Sequence, residues 1–150
     1  MAHDIAQPLA RYAAWRRAGD LILLSGVIAV DPARGTIVRG YADIAPEARA
    51  QLGASGEFST DAIEGPILAQ SWTVLERIRG TVEAAGGRMS DVVKLVQYFK
   101  RLDHFPYYSR VRKLFFPGEP PASTVVEVSA MLPSAEILIE VEATAYVPLR

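Results

Sequence analysis

Residues 118–128 read GEPPASTVVEV, and two hydroxyl side chains, Ser123 and Thr124, fall where a proline-punctuated loop turns into an aliphatic run. A hydroxyl at such a junction either faces a ligand or satisfies the backbone where a strand begins. Farther on, LIEVE sets Glu140 and Glu142 two residues apart, so on a strand both carboxyls share one face. Composition removes other chemistries. The chain has no cysteine, which excludes disulfides, thiolate nucleophiles and zinc–sulfur sites. Its two histidines, His3 and His104, are too few for a multi-histidine metal site within one chain.

The elements that must position these groups follow from periodicity and punctuation. The segment GDLILLSGVIAVDPARGTIV predicts a β-hairpin, with two aliphatic runs flanking Asp31-Pro32-Ala33-Arg34-Gly35. Residues 41–65 lack periodicity and predict an irregular insertion with one helical turn around Pro46–Leu52. A helix from Pro66 to Ala85 follows, with Leu68, Trp72, Leu75, Ile78 and Val82 on one stripe and Gly86-Gly87 ending it. DVVKLVQYFK reads as a strand. Asp103 caps a second helix, Phe105 to Phe116, whose apolar face carries Tyr107, Val111, Leu114 and Phe115. Strands at Thr124–Ala130 and Glu136–Val147 close the chain. The order β-β-α-β-α-β-β predicts an α+β fold, a mixed sheet with two helices on one face.

The 150 residues suit a single domain, residues 1–150, and no internal repeat is visible. No apolar run is long enough to span a bilayer, and the N-terminal MAHDIAQPLARYAAW lacks the pattern of a signal peptide, so a cytoplasmic location is expected. A net charge of -1 gives no electrostatic drive toward nucleic acid or an anionic membrane. The cluster Arg11, Arg16, Arg17 reads as a solvated face. Two helices cover only one side of a sheet. The other side, with Leu138 and Tyr146 among Glu140 and Glu142, is either solvated or covered by another subunit, and 50% hydrophobic composition favours the subunit.

Three stretches, GDLILLSG, AAGGRMSDVVKLVQYFKRLDHFPYYSRVRKLFF and PPASTVVEVSAMLPSAEILIEVEATAYVP, resemble the RidA/YjgF family, also described as endoribonuclease L-PSP-like. The likeness covers most of residues 9–148 apart from the 41–65 insertion. It implies a chorismate-mutase-like fold, a homotrimer with clefts between subunits, and hydrolysis of reactive enamines and imines to a 2-oxo acid and ammonia. No cofactor and no metal are implied. Such chemistry needs placed water, proton handling and a cation for a substrate carboxylate, best an arginine. Carried over by position, the site residues are Tyr12, Ser25, Gly26 and Glu140. Tyr12 is then a cleft phenol or a ring at the core edge. Glu140 is a water-handling carboxyl, a solvated strand residue or an interface ion pair. Partial burial would raise its pKa.

The same resemblance shows what is missing. Where the family has Pro-Ala-Arg before the strand, this chain has Pro121-Ala122-Ser123, followed by Thr124. A family cysteine position is Val125, and a family asparagine in the second helix is Ser109. Loss of a charge-assisted bidentate pair costs on the order of 3 kcal/mol. Weak hydrolysis of imines of free amino acids follows, unless a cation comes from elsewhere, with Arg49 of the long insertion one candidate. A Ser123→Arg variant is expected to fold, because position 123 should face a wet cleft. Three readings remain: an imine or enamine hydrolase (deaminase) with an altered small-molecule substrate, a non-catalytic metabolite-binding trimer, and a ribonuclease. The last ranks lowest in a mildly acidic chain without a histidine pair or basic stripe.

Overall fold

The computed structural model describes residues 8–150, so His3 lies outside the described residues. Its main sheet contains β1 (Trp15–Ala18), β2 (Leu21–Leu24), β3 (Val27–Ile28), β6 (Val92–Phe99), β7 (Ala122–Glu127) and β8 (Ile139–Tyr146). The strand order is β1-β2-β8-β6-β7, with β3 also on β8. A small separate ladder joins β4 (Val30–Asp31) to β5 (Thr36–Ile37). Three α-helices complete the fold: α1 (Pro46–Leu52), α2 (Phe58–Ala84) and α3 (Phe105–Phe115). Among the described residues only β6 and β7 pair in parallel, and α3 supplies the crossover that parallel pairing needs. Among the described residues no helix is long and apolar enough to cross a membrane.

The expected α+β sheet with helices on one face is present. Along β8, Ile139, Val141, Ala143 and Ala145 are buried, while Glu140, Glu142 and Thr144 are half-exposed and Tyr146 is exposed. The buried side meets Leu68, Leu75, Ile78 and Val82 of α2 and Val111 and Phe115 of α3 in one core. On the open side Leu21, Leu23, Val126 and Tyr146 stay exposed.

Several elements depart from the sequence expectation. The aliphatic run at residues 21–30 is not one arm of a long hairpin. Leu21–Leu24 pairs with β1, an unforeseen strand, and with β8, leaving two-residue arms around Asp31-Pro32. Arg17, expected on a solvated face, donates to the carbonyls of Gly19 (3.1 Å) and Val147 (2.8 Å) and ties β1 down. Residues 41–65, expected to be an irregular insertion, are more regular than that. Their short helix is present, but the long helix starts at Phe58 and runs through Pro66. Proline there removes one intrahelical bond, to the carbonyl of Ala62. The start is held instead by Asp61, whose carboxylate accepts the N–H groups of Ser55 and Gly56 at 2.9 Å each. A Cβ on Gly65 would lie 3.1 Å from the Tyr41 ring, so the bare glycine lets that ring pack against the helix.

Asp103 does not cap α3. His104 is the N-cap, and Asp103 turns to Arg101, 2.6 Å away. Leu114 is exposed, and its expected place in the core is taken by Tyr108, which is fully buried against Phe99 with ring centroids 5.4 Å apart.

The approach to β8 is fixed by one buried side chain. Gln70 of α2 donates to the carbonyls of Val38 (3.1 Å) and Glu136 (2.8 Å) and accepts the N–H of Leu138 (2.9 Å). Replacing it with an apolar side chain leaves all three groups without partners, each costing about 1–3 kcal/mol. Gln70→Leu is therefore expected to lower unfolding free energy by about 3 kcal/mol or more, read from urea midpoints at unchanged m-value. A loss below about 0.5 kcal/mol would show that these groups find water instead.

Candidate functional site

The site begins at a break in pairing. Leu23 lies opposite Thr144, yet Val27 lies opposite Val141, so the β2–β3 run carries one residue more than β8 across Ser25-Gly26. This is a β-bulge, a feature that re-aims side chains and ends regular pairing. Ser25 fixes what lies beside it. Its N–H donates to the carbonyl of Ala14 (3.0 Å) and its hydroxyl to that of Ala13 (2.6 Å), which holds the segment bearing Tyr12.

Above the bulge opens a cleft of about 340 Å³, lined among others by Tyr12, Ser25, Gly26, Trp72 and Arg77. Tyr12 is exposed, and its phenol oxygen accepts the N–H of Leu9 at 3.3 Å. Against Gly26 stands Glu140. A Cβ on that glycine would collide with the Glu140 carboxylate, so the absent side chain is what admits the acid. Burial pushes the Glu140 pKa above the usual carboxylate range, and neighbouring Glu142 adds to it. Glu142 instead accepts the phenol of Tyr98 at 2.7 Å. Glu140 does not line that cleft; it lines a separate shallow hollow on the open sheet face with Tyr98, Val128 and Met131, and meets the cleft only through Gly26.

Tyr12, Ser25, Gly26 and Glu140 thus gather around the bulge. Ser109, Ser123, Thr124 and Val125 do not. β7 is the far edge of the sheet, and Ser109 lies on α3. Ser123 is exposed, as expected, but it is engaged. Its oxygen accepts Gln97 Nε2 (2.9 Å) and Arg112 Nη1 (3.0 Å). Thr124 accepts Lys94 Nζ at 2.7 Å, and Val125 packs on the core. Arg49 lines neither hollow.

Sequence reasoning missed two arginines. Arg77 lines the cleft and donates to the carbonyl of Ile28 at 2.8 Å, and burial lowers its pKa. Arg112 reaches Ser123 from α3. Both positions sit in helices where only a long side chain's reach decides the contact, which no local pattern encodes. Among the described residues no three acidic or histidine side chains gather as a metal site.

The fold and site define a sheet-and-helix protein with a cleft at a bulge and, on the other side of that bulge, a desolvated carboxyl. The chain belongs to the Endoribonuclease L-PSP family, whose profile matches residues 40–147, and this is the RidA/YjgF family that its motifs resemble. It is 33% identical to a RutC family protein of Pyrococcus horikoshii over 93% of this chain and 90% of that protein. It is 32% identical over 55% of the chain to a 2-iminobutanoate/2-iminopropanoate deaminase of Dermatophagoides farinae, covering 64% of that protein. A solved structure from Klebsiella pneumoniae is 70% identical and superposes with a TM-score of 0.90 over 91% of this chain and all of that one.

The raised Glu140 pKa has a consequence for stability. The fold favours the protonated acid, so Glu140's contribution is present at pH below the ordinary glutamate range and is lost as pH rises through its folded value. Glu140→Gln is expected to flatten that fall, seen as a difference in unfolding free energy that grows across the window. In Gly26→Ala the flexible acid end swings away, so the variant folds and behaves like Glu140→Gln in the same titration. Parallel wild-type and Glu140→Gln curves would show that Glu140 is not desolvated.

Proposed function

We propose that the protein is a cofactor-free hydrolase, a deaminase, of an imine, enamine or related reactive small molecule. The observation that carries the reading is Glu140, a half-buried carboxyl with raised pKa set against the bare Gly26. Family membership and the deaminase activity of the Dermatophagoides relative support it.

The chemistry asks little of the protein. An imine carbon is already electrophilic. A protonated carboxyl donates to the imine nitrogen, and the carboxylate left behind takes a proton from the attacking water. A C–O bond forms, the re-formed carboxyl protonates the carbinolamine nitrogen, the C–N bond breaks as the hydroxyl returns its proton to the carboxylate and the C=O forms, and a carbonyl product leaves with ammonia. A carboxyl whose pKa is raised toward neutrality serves both steps. Tyr12 offers its phenol to the bound molecule, Ser25 holds the Tyr12 segment, and Gly26 presents backbone.

In this proposal the working unit is a homotrimer, and Ser109, Ser123, Thr124 and Val125 enter the cleft from a neighbouring subunit. Support comes from the exposed Leu21, Leu23, Val126 and Tyr146 on the open sheet face. A ribonuclease is not favoured. The cleft lining sets the single cation Arg77 against Asp31, Asp43 and Glu76, an unfavourable balance for a polyanion.

Turnover is tested by release of carbonyl product and ammonia from imines and enamines generated in place. Glu140→Ala is expected to lower kcat about 100-fold, and Glu142→Ala to leave it within about threefold. Imines of free amino acids should react more slowly than with an arginine-bearing relative. Ligand-induced thermal stabilisation with no turnover of any imine would favour the metabolite-binding reading. Light scattering should give three times the 16.3 kDa chain mass, and a monomer would remove the intersubunit cleft.

A further inference from the structure

The far edge of the sheet carries a cation built to a fixed shape and left without a counter-charge. Gln97 of β6 is fully buried, and all its polar capacity is used. Its Oε1 accepts the Tyr108 phenol (2.6 Å) and Arg112 Nη1 (2.8 Å), while its Nε2 donates to Ser123 Oγ and to the Thr124 carbonyl, both at 2.9 Å. Arg112 Nη1 also donates to Ser123 Oγ at 3.0 Å. The guanidinium lies 5.4 Å from the Phe105 ring centroid and 5.5 Å from that of Tyr108. Two rings and two acceptors therefore set its plane and its rotation.

What this arrangement leaves open is informative. Among the described residues Arg112 has no acidic partner, and its Nε and Nη2 have no acceptor. α3 reads FPYYSRVRKLF and contains no acid at all. Arg17 and Arg77 spend their Nη1 on backbone carbonyls, whereas Arg112 spends its Nη1 on two side-chain oxygens beside the exposed start of β7 and leaves Nε and Nη2 without an acceptor among the described residues. Nε and Nη2 form the edge of a guanidinium that matches two coplanar oxygens. Holding the fork still in advance removes the entropy that an exposed arginine loses on binding.

We propose that Arg112, braced by Ser123 and Gln97, is the carboxylate anchor of this protein, so that its ligand is a small organic carboxylate held from α3 and not from the strand start. The proposal deepens the deaminase reading by giving the substrate a free carboxylate, and the anion site itself stands whether or not turnover occurs. The hydroxyl at Ser123 is then a brace that an arginine at the same position would remove. Relocating the anchor shifts the reacting carbon relative to Glu140, which is why binding reads it more directly than turnover of 2-imino acids.

The test uses the full chain, ¹⁵N-labelled, titrated with 2-oxobutanoate and observed at the arginine Nε–H signals and by calorimetry. The Arg112 Nε–H signal is expected to shift with saturation. Arg112→Met should weaken binding at least about tenfold, and Arg112→Lys, which keeps charge and loses the fork, should weaken it part of the way. Arg110→Met, on the same helix, should stay within about twofold. The exchange Arg112→Ser with Ser123→Arg should recover most of the binding, while Ser123→Arg alone sets two guanidinium groups together and should lower the melting temperature. Should Arg112→Met fail to fold, Arg112→Lys decides. Binding unchanged in the Arg112 variants, binding lost in Arg77→Lys instead, or inorganic phosphate binding more tightly than the carboxylate would each overturn the proposal. Carboxylate binding through Arg112 without turnover of any imine would overturn the deaminase reading and leave this one standing. Turnover without Arg112-dependent binding would do the reverse.

Discussion

The contact between Glu140 and Gly26 is the constraint on which the site depends. A carboxyl on a sheet face is ordinarily hydrated and ionised at neutral pH. Here a bulge brings backbone without a side chain against it, and the acid fills the space that any Cβ would take. Loss of water then acts on the charged form alone and raises the pKa. Glu142, two residues along the same face, accepts the Tyr98 phenol instead of meeting bare backbone. One glycine thus gives two carboxyls that sequence spacing treats alike different neighbours.

Two buried glutamines carry the positioning outward from that contact. Gln70 joins α2 to both sides of the approach to β8, and so sets where Glu140 sits along the strand. Gln97 joins β6, β7 and α3, and so sets where Ser123 and Arg112 meet. A buried amide is costly unless every donor and acceptor is used, and a used one fixes its surroundings more narrowly than apolar packing does. Both glutamines are fully used, so each converts a burial cost into register.

Legibility in the sequence followed the physics of each signal. Alternation in β8 and the stripe on α2 were readable because burial on one face selects residues at every second or every third and fourth position. β1 was not, because Arg16 and Arg17 look solvated until the reach of Arg17 to the Val147 carbonyl is known. The start of α2 was hidden by Pro66, a residue that reads as a first turn, while the true start rests on Asp61 serving the loop before it. Tyr108 was passed over in favour of Leu114 because hydropathy undervalues a phenol whose oxygen finds a buried partner. In the site, the resemblance led to Tyr12, Ser25, Gly26 and Glu140, which the fold gathers. The substitution at Ser123 was visible, but its companion was not. Arg112 lies in a basic helix segment whose composition gives no hint of which arginine turns inward.

The placement of the two halves argues for a second copy of the chain in the proposed cleft. Register puts Glu140 opposite Tyr98 and Tyr98 opposite Val126, all on the open face. Ser123 is opposite Leu95, a buried residue of the helix-covered face, so the Arg112 anchor and the Glu140 carboxyl lie on opposite sides of one sheet. Tyr12 precedes β1, at the edge opposite β7, and the four strand spacings between those edges span about 19 Å. A small carboxylate reaches only a fraction of that distance. No single ligand can touch both halves within one chain, whereas two copies packed through the exposed sheet face can bring the edge of one to the bulge of the other. In the proposed trimer the open face, the split site and the unpaired cation have one explanation in common: a neighbouring subunit would complete each of them.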